Sequence, residues 1–295
     1  MSFFATIGFF DGVHRGHRFL LDQLQAEATA AGMQSMAVTF ENHPREVLED
    51  GDVAAPLLLT TTEERLSLLR AAGIARVEVL RFTSATASLK AVDFVQQVLL
   101  PMGVRGLLMG FNHHFGSDRE TTFEALQAQA AGMGVKIKRA VPLPDGPVSS
   151  TRIRRTVSLG QMADAAVLLG RPYTLTGTVN HGRQIGRTMG FPTANVVPPA
   201  RKLLPADGVY FGRVMFSEPR PALINIGTRP TLGEGGERTV EAHIIGYAGD
   251  LYDHTLTISI NHRHRAEHTF GSLAALQAQL EADRAACLCH YSIDY

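Results

Sequence analysis

Two histidines three residues apart, His14 and His17, stand among glycines in Gly8-Phe-Phe-Asp-Gly-Val-His-Arg-Gly-His17. An apolar run precedes them and a helical pattern follows. A spacing of three puts both imidazoles on one face of a helical turn. Gly12 and Gly16 let backbone approach a ligand closely. A helix start favours phosphate, because its first N–H groups are unpaired. Two imidazoles there can donate to phosphate oxygens and to charge that builds in a transition state. Taken alone, His-x-x-His also fits a capped helix with two surface histidines. The chain has no Gly-x4-Gly-Lys-Ser/Thr and no Gly-x-Gly-x-x-Gly, so the usual phosphate loops are absent. Phosphate binding in this half has to run through the histidine motif, from Gly8, Phe10, Asp11, Gly12 and Gly16.

A hydroxyl-rich segment, Val148-Ser-Ser-Thr-Arg-Ile-Arg154, offers Ser149, Ser150, Thr151 and Arg152 at a predicted helix start. By themselves they fit an N-cap box. A second constellation lies downstream. Gly182, Gly186 and Gly190 recur every four residues, with Arg183 and Arg187 between them. Flexible backbone with nearby arginines can wrap phosphates, although the glycines alone would also serve as hairpin turns. Thr193 and Asn195 follow at a spacing of two. In an extended segment both face the same way. A hydroxyl and an amide oxygen together are hard-cation ligands of the kind Mg²⁺ takes.

The elements that must hold these groups are legible from periodicity. Short apolar runs at Ala5–Phe10, Met36–Phe40, Ala75–Phe82, Gly106–Met109 and Val135–Val141 predict strands. Helical spacing covers Arg18–Ala31, Glu63–Ala72, Ala91–Leu100 and Thr122–Ala131. Strands alternating with helices give an α/β fold with a parallel sheet, which binds ligands at its strands' carboxyl ends. A helical stretch runs from Arg152 to Leu169. Beyond Gly170 the pattern changes to short runs at Thr174–Val179, Gly208–Met215, Ala222–Ile226, Val240–Ile245 and Leu256–Ile260. Close spacing with turn residues between them predicts a small antiparallel barrel. Ser272–Ala286 closes the chain as an amphipathic helix. Two domains follow, 1–155 and 156–295, as 295 residues allow at roughly 100–200 per domain.

The formal net charge is zero with His neutral. That speaks against a basic partner-binding surface, and no nucleic-acid partner is expected. With 45% hydrophobic and 19% charged residues, the composition is that of an ordinary globular chain. Cys287 and Cys289 make neither a disulfide framework nor a four-ligand zinc pattern. A reducing, cytoplasmic setting is expected. Residues 1–10 carry no positive charge and Asp11 comes too early for a signal peptide. No run of ~20 apolar residues occurs, so no membrane span is expected.

Gly8–His17 resembles the His-x-Gly-His signature of nucleotidyltransferases. It is more closely similar to the adenylyltransferase module of the bacterial bifunctional riboflavin kinase/FMN adenylyltransferase family. Thr39-Phe-Glu-Asn-His-Pro44, Gly110-Phe-Asn-His-His-Phe-Gly116 and Val148–Arg154 resemble further motifs of that module. Gly182–Asn195, with Pro192-Thr-Ala-Asn195, resembles the family's kinase barrel, as do Gly208-Val-Tyr210, Asn225–Thr231, Glu241-Ala-His243, Asp250-Leu-Tyr252 and Arg265-Ala-Glu267. Phe9, His113 and Asp253 depart from the family pattern.

The resemblance implies a Rossmann-like nucleotidyltransferase sheet, then a riboflavin kinase antiparallel β-barrel with a C-terminal helix. It implies riboflavin, FMN and ATP as substrates, Mg²⁺ as cofactor and a monomer or weak homo-oligomer. His14 and His17 would hold ATP phosphates, and Asn112 would shape the nucleotide pocket. Ser149, Ser150, Thr151 and Arg152 would contact the nucleotide phosphates, and hydroxyls with one Arg at a helix start suit a triphosphate losing pyrophosphate. Asn42, Pro44, Phe191, Pro192, Arg265 and Glu267 would lie at the flavins, with Thr193 and Asn195 on Mg²⁺. Glu241 would be the general base, a role a carboxylate suits beside a hydroxyl nucleophile. Read alone, one Glu in a strand also fits a solvated face. Two other readings remain beside the bifunctional one: an enzyme with only one of the activities, and a flavin-binding or regulatory module without activity.

Overall fold

The computed structural model describes the chain except residues 49–54, 112–115, 119–121, 182–185, 187–189, 229–237 and 293–295. Two compact units divide it, Met1–Ser150 and Thr151–Tyr295.

In the first unit, Phe3–Ile7 (β1) is buried at every position, as a strand covered on both faces requires. Gln34–Phe40 (β2), Arg76–Leu80 (β3), Val104–Met109 (β4) and Lys136–Arg139 (β5) complete a parallel sheet. Its order is β3-β2-β1-β4-β5. The chain fills one side of β1 first and then crosses to the other. The order therefore reverses between β1 and β4, where a crevice opens at the carboxyl ends. Helices Arg15–Ala30 (α1), Arg45–Leu48 (α2), Thr62–Ala71 (α3), Ser84–Ser88 (α4), Ala91–Phe94 (α5) and Phe123–Gly132 (α6) make the connections.

Two departures from the sequence reading bear on the site. β1 ends at Ile7, not at Phe10. Phe10 (φ 55°), Gly12 (φ 82°) and Val13 (φ 37°) turn the chain out of the sheet in left-handed conformations. Non-glycine residues held that way store strain, and such strain collects at ligand sites. α1 begins at Arg15, three residues earlier than its apolar spacing suggests. His14 is its cap: the imidazole accepts from the His17 backbone N–H.

In the second unit, the single helix expected over Arg152–Leu169 is two helices, Ser150–Ser158 (α7) and Met162–Leu169 (α8). Gly160 separates them with φ 72°. Its bare Cα also admits Tyr210 and Arg263, whose side chains would meet any Cβ there. The boundary expected after Arg155 falls inside α7.

The barrel is closed, in the order β10-β7-β6-β11-β8-β9. Its strands are Tyr173–Asn180 (β6), Ala194–Val197 (β7), Gly208–Val214 (β8), Arg220–Thr228 (β9), Arg238–Ile244 (β10) and Thr255–Arg265 (β11). Leu175, Val196, Val214, Ile224, Ile226, Val240, Ile258 and Ile260 are buried, and along β6, β10 and the first half of β11 the buried positions alternate with polar residues. The last helix runs from Leu273 to Ser292 (α9), past the expected end at Ala286. Its buried stripe is Asp283, Cys287 and Tyr291. Those last two pack on the barrel's outside, against Val209, Phe211 and Leu223. Burial pushes the Cys287 thiol up to about 12, which leaves it inert. No described helix is long and apolar enough to cross a membrane.

Candidate active sites

The first site is built where β1 ends. The rings of His14 and His17 stack, with centroids 3.6 Å apart. His14 Nδ1 accepts from the His17 backbone N–H at 3.3 Å. Neutral His14 therefore carries its proton on Nε2, a donor. His17 is wedged between His14 and the ring of Phe10, whose centroid is 5.3 Å away. Gly8 makes room for that ring: a Cβ there would touch it at 3.0 Å. His17 Nδ1 is buried with no hydrogen-bond partner among the described residues. Burial first, and the neighbouring His14 second, hold the His17 pKa well below the usual imidazole value. The pair is a compact set of ring donors at the start of α1.

Asp11 plays a local part. Its carboxylate accepts from the backbone N–H groups of Leu59 (3.2 Å) and Thr60 (3.0 Å), and from the Thr60 hydroxyl. Gly12 N–H in turn donates to Thr60 Oγ1 at 3.0 Å. These bonds fix the left-handed turn. The Asp11 carbonyl accepts from Ser150 Oγ at 2.9 Å, which brings the Ser149–Ser150 segment to the histidine motif. Gly16 permits the approach: a Cβ there would lie 3.3 Å from the His14 ring and 3.6 Å from Val148 O. Thr151 and Arg152 occupy the first turn of α7. Arg152 also lines a cavity with Arg155, Thr156, Gln161 and Asp164.

Asn42 clasps the backbone of Phe82 through both its amide groups, at 3.0 and 2.9 Å. Pro44 opens α2, its carbonyl accepting from Leu48 N–H. Asn112 and the departure at His113 lie outside the described residues. Sequence reasoning missed Arg65. It is fully buried, donates to Phe40 O at the end of β2, and lies 4.3 Å from the Phe9 ring centroid. Burial lowers its pKa, opposed by Asp11. The α3 spacing Arg65–Leu69 was the available signal, since both fall on the helix's inner face.

The second site is a row of polar side chains across the barrel's outer face. In register, Asn180 stands opposite Asn195, Asn195 opposite Glu241, and Glu241 opposite Asn225. Directly opposed residues share a face, with Cβ atoms about 4.5–5.5 Å apart. Ala194 and Val196 are buried while Thr193 and Asn195 are not, so the latter two face outward together. Thr193 and Pro192 line a cavity of about 470 Å³ with Val179, Tyr247, Leu251 and Tyr252. Its aromatic wall extends to His181, stacked on Tyr252 at 3.8 Å.

His243 braces the neighbouring segment. Its Nδ1 lies 2.9 Å from Pro192 O, and its ring is 5.1 Å from that of Phe191. Burial chiefly lowers its pKa. Phe191 N–H donates to Gly186 O at 2.8 Å, and Gly190 carries φ 80°. Gly182, Arg183 and Arg187 lie outside the described residues. Arg265 is engaged by the last helix: Nε and Nη2 donate to the buried Asp283, with Nη2 at 2.7 Å from Oδ2. Glu267 reaches the row by accepting from Asn225 Nδ2 at 3.0 Å. Tyr247 joins the cavity wall only through the fold.

Comparison with known proteins gives two family matches. The FAD synthetase family matches residues 2–152, and the riboflavin kinase family matches residues 169–289. A bifunctional riboflavin kinase/FMN adenylyltransferase of Pseudomonas fluorescens is 38% identical over 286 residues, covering 96% of this chain and 91% of its own. One of Escherichia coli strain K12 is 38% identical over 283 residues, covering 94% and 89%. A Streptococcus pneumoniae crystal structure described as a macrolide-efflux protein superposes with a TM-score of 0.85 at 32% identity, over 97% of this chain and 94% of that one. Both site motifs lie within the matched segments, and the relatives are covered nearly end to end. The chain belongs to the bifunctional riboflavin kinase/FMN adenylyltransferase family.

Proposed function

We propose that residues 156–295 phosphorylate riboflavin to FMN with ATP, and that residues 1–155 adenylylate FMN to FAD with release of pyrophosphate. The observation that carries the kinase half is the register that sets Asn195 and Glu241 side by side next to Thr193. In that half the terminal ribityl hydroxyl attacks the γ-phosphorus, and the bond to ADP breaks. Glu241 takes the hydroxyl proton as the new O–P bond forms. In the other half an FMN phosphate oxygen attacks the α-phosphorus, and pyrophosphate leaves. His14 and His17 donate to the triphosphate, whose charge favours the imidazolium forms. Ser149, Ser150, Thr151 and Arg152 add donors for the leaving phosphates.

Thr193 and Asn195 supply a hydroxyl and an amide oxygen on one outward face, a donor set that fits Mg²⁺. Bound there with ATP, the ion neutralises phosphate charge. The protein works in the cytoplasm, as a monomer or weak homo-oligomer, without nucleic acid or membrane. Chelation of divalent cations is expected to stop both reactions, and added Mg²⁺ to restore them. Thr193→Val keeps the shape and removes the oxygen. Even outer partners of a metal ligand cost 10–100-fold when removed. The Mg²⁺ concentration for half-maximal riboflavin phosphorylation is thus expected to rise at least about tenfold, with adenylylation unchanged. An unaltered Mg²⁺ requirement would remove Thr193 from the metal site.

A further inference from the structure

Glu267 lies just beyond β11, yet its carboxylate folds back onto β9. Two residues of β9 receive it. Asn225 Nδ2 donates to Oε1 at 3.0 Å. Gly227, two residues on, presents bare backbone on the same face. A Cβ at Gly227 would sit 2.5 Å from the Glu267 carboxyl carbon and 2.6 Å from Oε2. The backbone there is of a kind any residue adopts, so the glycine answers to space and not to conformation. Gly227 is buried although it faces outward, because Glu267 covers it.

The notch adjoins the proposed base. Glu241 stands opposite Asn225 and Thr239 opposite Gly227. A second carboxylate is therefore docked on the row that carries Glu241. The segment from which Glu267 reaches is anchored as well, since Arg265 is clamped by Asp283 on α9. Asn225 occupies one acceptor site of the carboxylate, and an ionised carboxylate has about four.

We propose that Asn225 and Gly227 are positioning residues of the kinase site: they hold Glu267 beside Glu241, where its oxygens accept hydrogens from the hydroxyls of a polyol chain. This rests on the kinase reading above. Glu241 takes the proton of the reacting hydroxyl, and Glu267 fixes the chain that presents it. The pair thereby selects a polyhydroxylated alcohol over a simple one.

The test is steady-state riboflavin phosphorylation by the full chain. Gly227→Ala should raise the riboflavin KM about tenfold, the loss expected when one or two hydrogen bonds to substrate are misplaced. The ATP KM and FAD formation from supplied FMN should stay within about twofold. Shortening the displaced side chain, in Gly227→Ala/Glu267→Asp, should recover at least about a third of the lost affinity. Asn225→Asp, which sets a carboxylate against Glu267, should reproduce the KM rise and decides the matter if Gly227→Ala does not fold. A wild-type riboflavin KM in Gly227→Ala and in Asn225→Asp overturns the notch. So does a Gly227→Ala defect that Glu267→Asp leaves untouched. A wild-type chain that makes no FMN overturns the kinase reading itself, which is a separate result.

Discussion

Glu241→Gln should abolish FMN formation from riboflavin while FAD formation from supplied FMN continues at the wild-type rate. The substitution is nearly isosteric and removes only the ability to take a proton. Glu241 sits mid-strand between β7 and β9, and its neighbours Val240 and Ala242 anchor the strand in the core. Gln can hold the same position and hydrogen-bond as an amide. A positioned general base contributes about 10²–10⁴-fold. Riboflavin turnover should fall by that factor, with riboflavin and ATP KM changed little. Chromatographic separation of the flavins measures it. A loss of both activities would point to unfolding, and an unchanged kinase rate would strip Glu241 of its role.

His17→Ala should do the reverse. FMN still accumulates from riboflavin, and FAD formation falls by roughly 10²–10³-fold, the usual cost of one donor to transition-state charge. The same residue gives the first unit a pH signature. Burial and His14 hold its folded pKa well below the usual value, while in the unfolded chain it titrates near 6.5. Below about pH 6.5 the unfolded chain therefore binds a proton that the folded one refuses. Stability is full above that pH and is lost as pH falls toward the folded pKa. Thermal unfolding of the wild type should show a lower midpoint at pH 5.5 than at pH 7.5. In His17→Ala the difference should shrink. An identical pH dependence in both proteins would mean that His17 is not the buried group responsible.

Much of this was legible in the sequence because it is local. Strand, glycine-rich turn and capped helix follow one another between Phe3 and Ala30, and each has its own residue signature. No strand was expected over Ala194–Val197; the pairing of β7 with β6 and β10 extends the chain there, which is how Thr193 and Asn195 come to share a face. What was hidden depends on partners far along the chain. Phe10 and Val13 turn left-handed because Asp11 and Thr60 lock the loop from 49 residues away. No periodicity announces that. The break at Gly160 reflects Tyr210 and Arg263 crowding its Cα, where a helical pattern alone tolerates a glycine. Nothing in the spacing of the last helix marks Asp283 for burial. It is buried because Arg265 and Gln279 meet it there. The Gly227 notch joins residues 40 positions apart, so only the folded barrel displays it.

The most direct measurement is a chromatographic time course of the wild-type chain with riboflavin, ATP and Mg²⁺. Two sites acting in sequence predict that riboflavin declines first, FMN rises and then falls, and FAD accumulates. FMN that persists without FAD would contradict the adenylyltransferase half and single out the His14–His17 pocket. No phosphorylated flavin at all would contradict the account as a whole.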